Sequence, residues 1–76
     1  MNPTKSIGIV KWFNNAKGYG FILNEQNEDV MVHHRSIVGE GYKTLATGQT
    51  VEFIQTKSTK GWQAVETVLI DADDHS

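Results

Sequence analysis

Cysteine is absent from the 76 residues, which excludes a disulfide framework and a Cys-ligated zinc site and fits a reducing cytoplasm. Long apolar runs are missing as well: the opening MNPTKSIGIV has one lysine and no stretch suited to a signal peptide or a membrane span. A cytoplasmic protein with no membrane association is expected. No segment keeps a helical apolar period for three turns. There is no P-loop, no Gly-x-Ser-x-Gly and no nucleophile with a recognisable base, so no enzyme is expected. Residues 1–17 hold Lys5, Lys11 and Lys17 but no Asp or Glu, whereas residues 66–76 hold Glu66, Asp71, Asp73 and Asp74 but no Lys or Arg. The formal net charge of −2 therefore conceals a division, because residues 1–65 carry seven bases against five acids. That body is mildly basic, and its positive charge is too sparse to bind a polyanion tightly by itself.

What is present is strand signal. Short β-branched and aromatic runs separated by Gly, Asn and Lys-Gly predict strands near residues 6–14, 18–24, 29–34, 50–56 and 62–69. The stretch VGEGYKTLATGQ, with glycines at 39, 41 and 48, is the longest connection. A short helical turn is expected near Ser36–Val38. At this length the chain is one domain, residues 1–70, followed by an acidic, disordered tail over 71–76. Five short strands in so small a chain point to an all-β, closed or nearly closed barrel, since closure removes exposed edges.

Alternation splits the second strand into Tyr19, Phe21, Leu23 and Gly18, Gly20, Ile22. It splits the third into Met31, His33 and Val30, Val32, with His34 joining the valines if the strand stays regular. Ile22, Val30 and Val32 suit a barrel interior, which leaves Tyr19, Phe21, Met31 and His33 together outside. Gly20 between the rings implies close backbone approach or a sharply curled sheet. The alternative puts the rings in the core and the valines outside. A core this small supplies only about 3–5 kcal/mol of net stability, so each ring displayed outside it has a cost. Displayed rings beside lysines make sense for a single-stranded nucleic acid, whose bases stack on flat side chains while lysines follow the phosphates. Lys11, Trp12 and Phe13 add material of the same kind.

From KWFNNAKGYGFI through DVMVHHRSI to GEGYKTLATGQTVEF, about Gly8 to Ala64, the sequence closely resembles the bacterial cold-shock proteins. The resemblance implies a five-stranded antiparallel oligonucleotide-binding (OB-fold) barrel with two ribonucleoprotein-like motifs side by side on strands two and three. It assigns single-strand contacts to Lys11, Trp12, Phe13, Lys17, Tyr19, Phe21, His33 and Tyr42. Asn14 and Asp29 match polar positions flanking the platform, and Lys60 and Gly61 match the loop between strands four and five. It further implies binding of single-stranded DNA and RNA with a pyrimidine preference, RNA-chaperone activity and regulation of transcription or translation; no cofactor is expected, and the chain is expected as a monomer with a homodimer as the alternative.

The chain departs from that pattern in three places. VMVHH stands where the family usually has VFVHF, so two rings become Met31 and His34; methionine lies against a base without a π-face, which weakens one stacking site by about 1 kcal/mol. His34 either stacks and, when protonated, pairs with phosphate, or is a neutral surface residue. The first reading predicts tighter binding at pH 5.5 than at pH 8, and an unchanged pH profile in His34→Phe would remove it. Trp62 follows Lys-Gly where a small residue or proline is common, and it either reaches over the binding groove or folds back on the barrel end. AVETVLI is out of step by one residue, which predicts a bulge or slipped register near Glu66. His33 and His34, expected on opposite strand faces, do not form a metal site. The rival functional reading is an interaction module whose exposed apolar patch makes a homodimer, like those dimeric relatives that inhibit replication in non-growing cells.

Overall fold

Alternating burial along each strand decides what faces the interior. The computed structural model describes residues 5–38 and 44–70. Tyr42 and the 71–76 tail lie outside the described residues. The strands are β1 (Lys5–Asn14), β2 (Tyr19–Asn24), β3 (Asp29–His33), β4 (Thr50–Ser58) and β5 (Gly61–Ile70). Their inward positions converge on a core of Val10, Ile22, Val30, Val32, Val51, Phe53 and Ala64, capped by Ile37 and Leu45 from the connecting segments. Ile22, Val30 and Val32 are wholly buried, as their alternation with the rings demands.

The strands close into a barrel in the order β1-β2-β3-β5-β4. The expected all-antiparallel arrangement is corrected at one seam, where β3 and β5 run parallel, with Val30 opposite Trp62 and Met31 opposite Gln63. Closure requires this: strands alternating in direction around a ring of five must meet once in the same direction. The short turn also differs from expectation. It is a 3-10 turn at His34–Ser36, two residues early, because the His33 side chain accepts the Arg35 N–H and caps it there.

The irregularity expected near Glu66 is present. Glu52 pairs with Val68 and Ile54 with Val65, so two steps along β4 match three along β5, and Glu66 takes the extra residue with φ at 49°. This bulge sends Thr67 inward, where it is fully buried and its hydroxyl has no hydrogen-bond partner among the described residues. A buried, unpaired hydroxyl is destabilising, and valine fills the same volume. Thr67→Val is expected to stabilise the fold by about 1 kcal/mol, read as a melting temperature higher by about 4–8 °C.

Candidate functional site

The site begins with a second bulge. Val10 pairs with Ile22, but the next β1 partner is Trp12, opposite Phe21, so Lys11 is the inserted residue. In a regular strand Trp12 would share the inward face of Val10. The bulge turns it out, leaving Trp12 39% exposed while Val10 is 1% exposed. Its indole lies edge-on to Tyr19 at 5.6 Å and 73° and tilted over Phe21 at 5.4 Å and 53°. Gly20 makes this crowding feasible, since a Cβ there would sit 2.2 Å from the Trp12 carbonyl oxygen and 2.6 Å from the Phe13 Cα. The close backbone approach inferred from the sequence is therefore real.

Register carries the surface onto β3, with Tyr19 opposite His33 and Phe21 opposite Met31. Trp12, Tyr19, Phe21, Met31 and His33 thus form one outward, partly exposed face, backed by the buried aliphatics. The alternative with the rings in the core is excluded. Phe13 is half-buried and packs against the core. Asn14 works locally: its Oδ1 accepts the Lys17 N–H at 2.9 Å and its carbonyl accepts the Gly18 N–H at 2.7 Å, which fixes the turn that presents exposed Lys17. Lys11 Nζ reaches Asp29 Oδ1 at 3.0 Å. Such a half-solvated pair contributes at most about 1 kcal/mol, so a phosphate can compete for Lys11 at little cost.

His34 requires a correction. The strand ends at His33, so His34 does not follow the valines inward. It is exposed, with its ring over Gly18, where a Cβ would meet its Cδ2 at 2.5 Å. The two imidazoles therefore lie side by side, 4.6 Å apart and tilted by 34°, rather than on opposite faces. Among the described residues no group of three or more His, Cys, Asp or Glu is placed to hold a metal ion.

His33 Nδ1 accepts the Arg35 N–H at 3.3 Å, a bond that protonation of that nitrogen would remove. Partial burial, followed by the neighbouring His34 and Arg35 charges, holds its pKa below the ordinary 6.5. The unfolded chain then binds the proton more readily, so this contribution to stability is complete above pH 6.5 and is lost as pH falls from there toward the lowered folded value. The melting temperature is expected to rise between pH 5.5 and 7.5, and His33→Asn to flatten that rise. An identical slope in the variant would refute the assignment.

Beside the platform, Phe21, Asp29, Met31, Lys60, Trp62 and Gln63 line a groove of about 550 Å³. Trp62 is half-buried against the core and also lines this groove. Lys57 lies directly across the β4–β5 ladder from it, with Nζ 4.9 Å from the ring centroid. Lys60 and Gly61 fall at the hairpin end, where Gly61 has φ at 121°. Lys57 and Gln63 were not expected at the site. Their signal was the hairpin register, which the sequence shows only once Ser58 and Gly61 are taken as a closing pair.

The model of the 'Cold-shock' DNA-binding domain matches residues 6–70. The major cold shock protein CspA of Pseudomonas aeruginosa is 51% identical over 63 residues, 83% of this chain and 91% of that protein. Cold shock protein CspB of Bacillus caldolyticus is 54% identical over 63 residues, 83% of this chain and 96% of its own length. Among solved structures, Drosophila Unr CSD456 superposes with a TM-score of 0.77 at 14% identity, covering 99% of this chain and 30% of that one, a likeness of fold.

Proposed function

Since the chain belongs to the cold-shock DNA-binding domain family, we propose that it binds single-stranded DNA and RNA by stacking unpaired bases on Trp12, Tyr19, Phe21, Met31 and His33. The observation that carries this reading is the outward, clustered placement of rings that the bulge at Lys11 and the absence of a side chain at Gly20 create. Each stacked base contributes about 1–3 kcal/mol and is accepted with little regard to sequence. Lys11, Lys17 and Lys60 follow the phosphates, while Asn14 and Asp29 border the platform and Phe13 supports it. His34, Gly61 and Trp62 extend the surface at its margins, and Tyr42 is assigned a base contact by the family resemblance alone.

A strand held this way cannot pair, so binding draws folded RNA toward open forms. No covalent step is needed. This is the action of an RNA chaperone, and through it of a regulator of transcription or translation. It belongs in the cytoplasm; among the described residues no helix is long and apolar enough to cross a membrane.

Titration with oligothymidylate, followed by Trp12 and Trp62 fluorescence, tests the proposal. Strong quenching is expected, with a shallow salt slope of about −2 for three lysine–phosphate contacts, and with weaker binding of oligoadenylate if pyrimidines are preferred. Unchanged fluorescence at saturating oligonucleotide would reject stacking.

A further inference from the structure

The barrel separates its charges between two rims. β1, β3 and β5 run one way and β2 and β4 the other, so β1, β3 and β5 all end at one rim. That rim carries Lys17 in the turn after β1 and His34 and Arg35 after β3, all exposed. Among the described residues no Asp or Glu lies there: Glu25, Glu28 and Asp29 gather at the opposite rim, around the β2–β3 turn, and Glu52 and Glu66 lie within β4 and β5. Neither Lys17 nor Arg35 is in an ion pair among the described residues, and Lys11, the residue inserted by the β1 bulge, has only its half-solvated contact with Asp29.

β5 delivers the acidic end of the sequence to this same rim. Residues 71–76 follow Ile70 and contain Asp71, Asp73 and Asp74 but no Lys or Arg. Ile9, Thr50 and Ile70 form one rung, and β5 is parallel to β1 because both are antiparallel to β4. The chain therefore leaves Ile70 in the direction that β1 takes from Ile9 to Lys11. Two strand spacings across and two residues along put the Lys11 backbone about 12 Å from Ile70. On the other flank of β5, Ile37 bridges Thr67, and Arg35 precedes Ile37 by two residues. Six residues span up to about 20 Å when extended, so cations on both flanks are within reach.

We infer that the segment 71–76 docks on this rim, sets its carboxylates against Lys11, Lys17 and Arg35, and acts there as an internal competitor for nucleic-acid phosphate. Three carboxylates meet three cations. Each exposed pair is weak, but a tethered anion faces these side chains at an effective concentration on the order of millimolar. The rings of the platform are not engaged, so the segment opposes the phosphate contacts and leaves base stacking intact. The competition rests on the nucleic-acid-binding proposal above, whereas the docking does not.

Because the sequence has no cysteine, Ser76→Cys allows a single nitroxide label on the full chain. Without nucleic acid, paramagnetic broadening of backbone amides is expected at Lys11, Lys17 and Arg35 in preference to Glu25 and Glu28, and is expected to fall when Asp71→Asn, Asp73→Asn and Asp74→Asn are combined. The unlabelled triple variant, with a wild-type melting temperature, is expected to bind oligothymidylate about three- to tenfold more tightly at low salt, a gain that shrinks as added salt screens the charges. Broadening that the three substitutions leave unchanged overturns the docking, and an unchanged affinity in a chain that binds oligothymidylate overturns the competition. If neither chain binds oligothymidylate, the stacking proposal falls and the competition with it, while the broadening still decides the docking.

Discussion

Gly20→Ala is expected to lower the melting temperature by about 12 °C or more, or to abolish the folded state. The added methyl would lie 2.2 Å from the Trp12 carbonyl oxygen and 2.6 Å from the Phe13 Cα. Both are backbone atoms, and neither can rotate away. Relief requires β1 and β2 to separate where Phe13 pairs with Gly20, one step from the bulge that sets the barrel's curl. Overpacking costs about 1–3 kcal/mol and more where backbone must move. In a domain of this size, with about 3–5 kcal/mol in total, a loss near 3 kcal/mol consumes most of the stability, at about 4–8 °C for each kcal/mol. Gly48→Ala is the informative comparison. Gly48 has a positive φ, at 93°, which Gly20 does not, and nothing lies within 4 Å of its added methyl, so strain acts there without a clash and the loss is smaller. Circular dichroism melts of the two variants decide the matter: a shift for Gly20→Ala no larger than that for Gly48→Ala would show that the contact with β1 does not carry the loss.

Much of the barrel was legible because alternation is a strong constraint when one face is buried. Ile22, Val30 and Val32 could only go inside together, and Tyr19, Phe21, Met31 and His33 then had to come out together. The bulge near Glu66 was legible for the same reason, as an apolar period that slipped by one residue. What could not be read locally depended on partners distant in sequence. The bulge at Lys11 leaves no mark in KWFN, because its evidence is the pairing of Trp12 with Phe21. The fate of His34 depended on where β3 stops, and that is set by the cap His33 gives to Arg35. Trp62 resisted a single reading because it occupies a seam, in register with Val30 across the parallel pair and with Lys57 across the antiparallel one. Its surroundings come from three strands at once.

Phe21→Ala and Ile22→Ala, one residue apart, are expected to fail in opposite ways. Ile22 is fully buried in the core, and truncating such a side chain to alanine costs about 2–5 kcal/mol, enough to unfold much of the protein. Phe21 contributes to the outer face and lies outside the buried core cluster, so its loss leaves a folded barrel with a melting temperature near the wild-type value. On the proposed platform it carries more, touching Trp12 on one side and pairing with Met31 on the other. Its removal takes away one stacked base, about 1–3 kcal/mol, or roughly 5- to 150-fold in affinity for oligothymidylate. Met31→Phe should act in reverse, restoring a π-face at that neighbour and tightening binding by about 1 kcal/mol, near fivefold. Fluorescence titration of both variants beside their thermal melts separates the two roles. A folded Phe21→Ala variant with wild-type affinity would mean that bases do not lie on this surface.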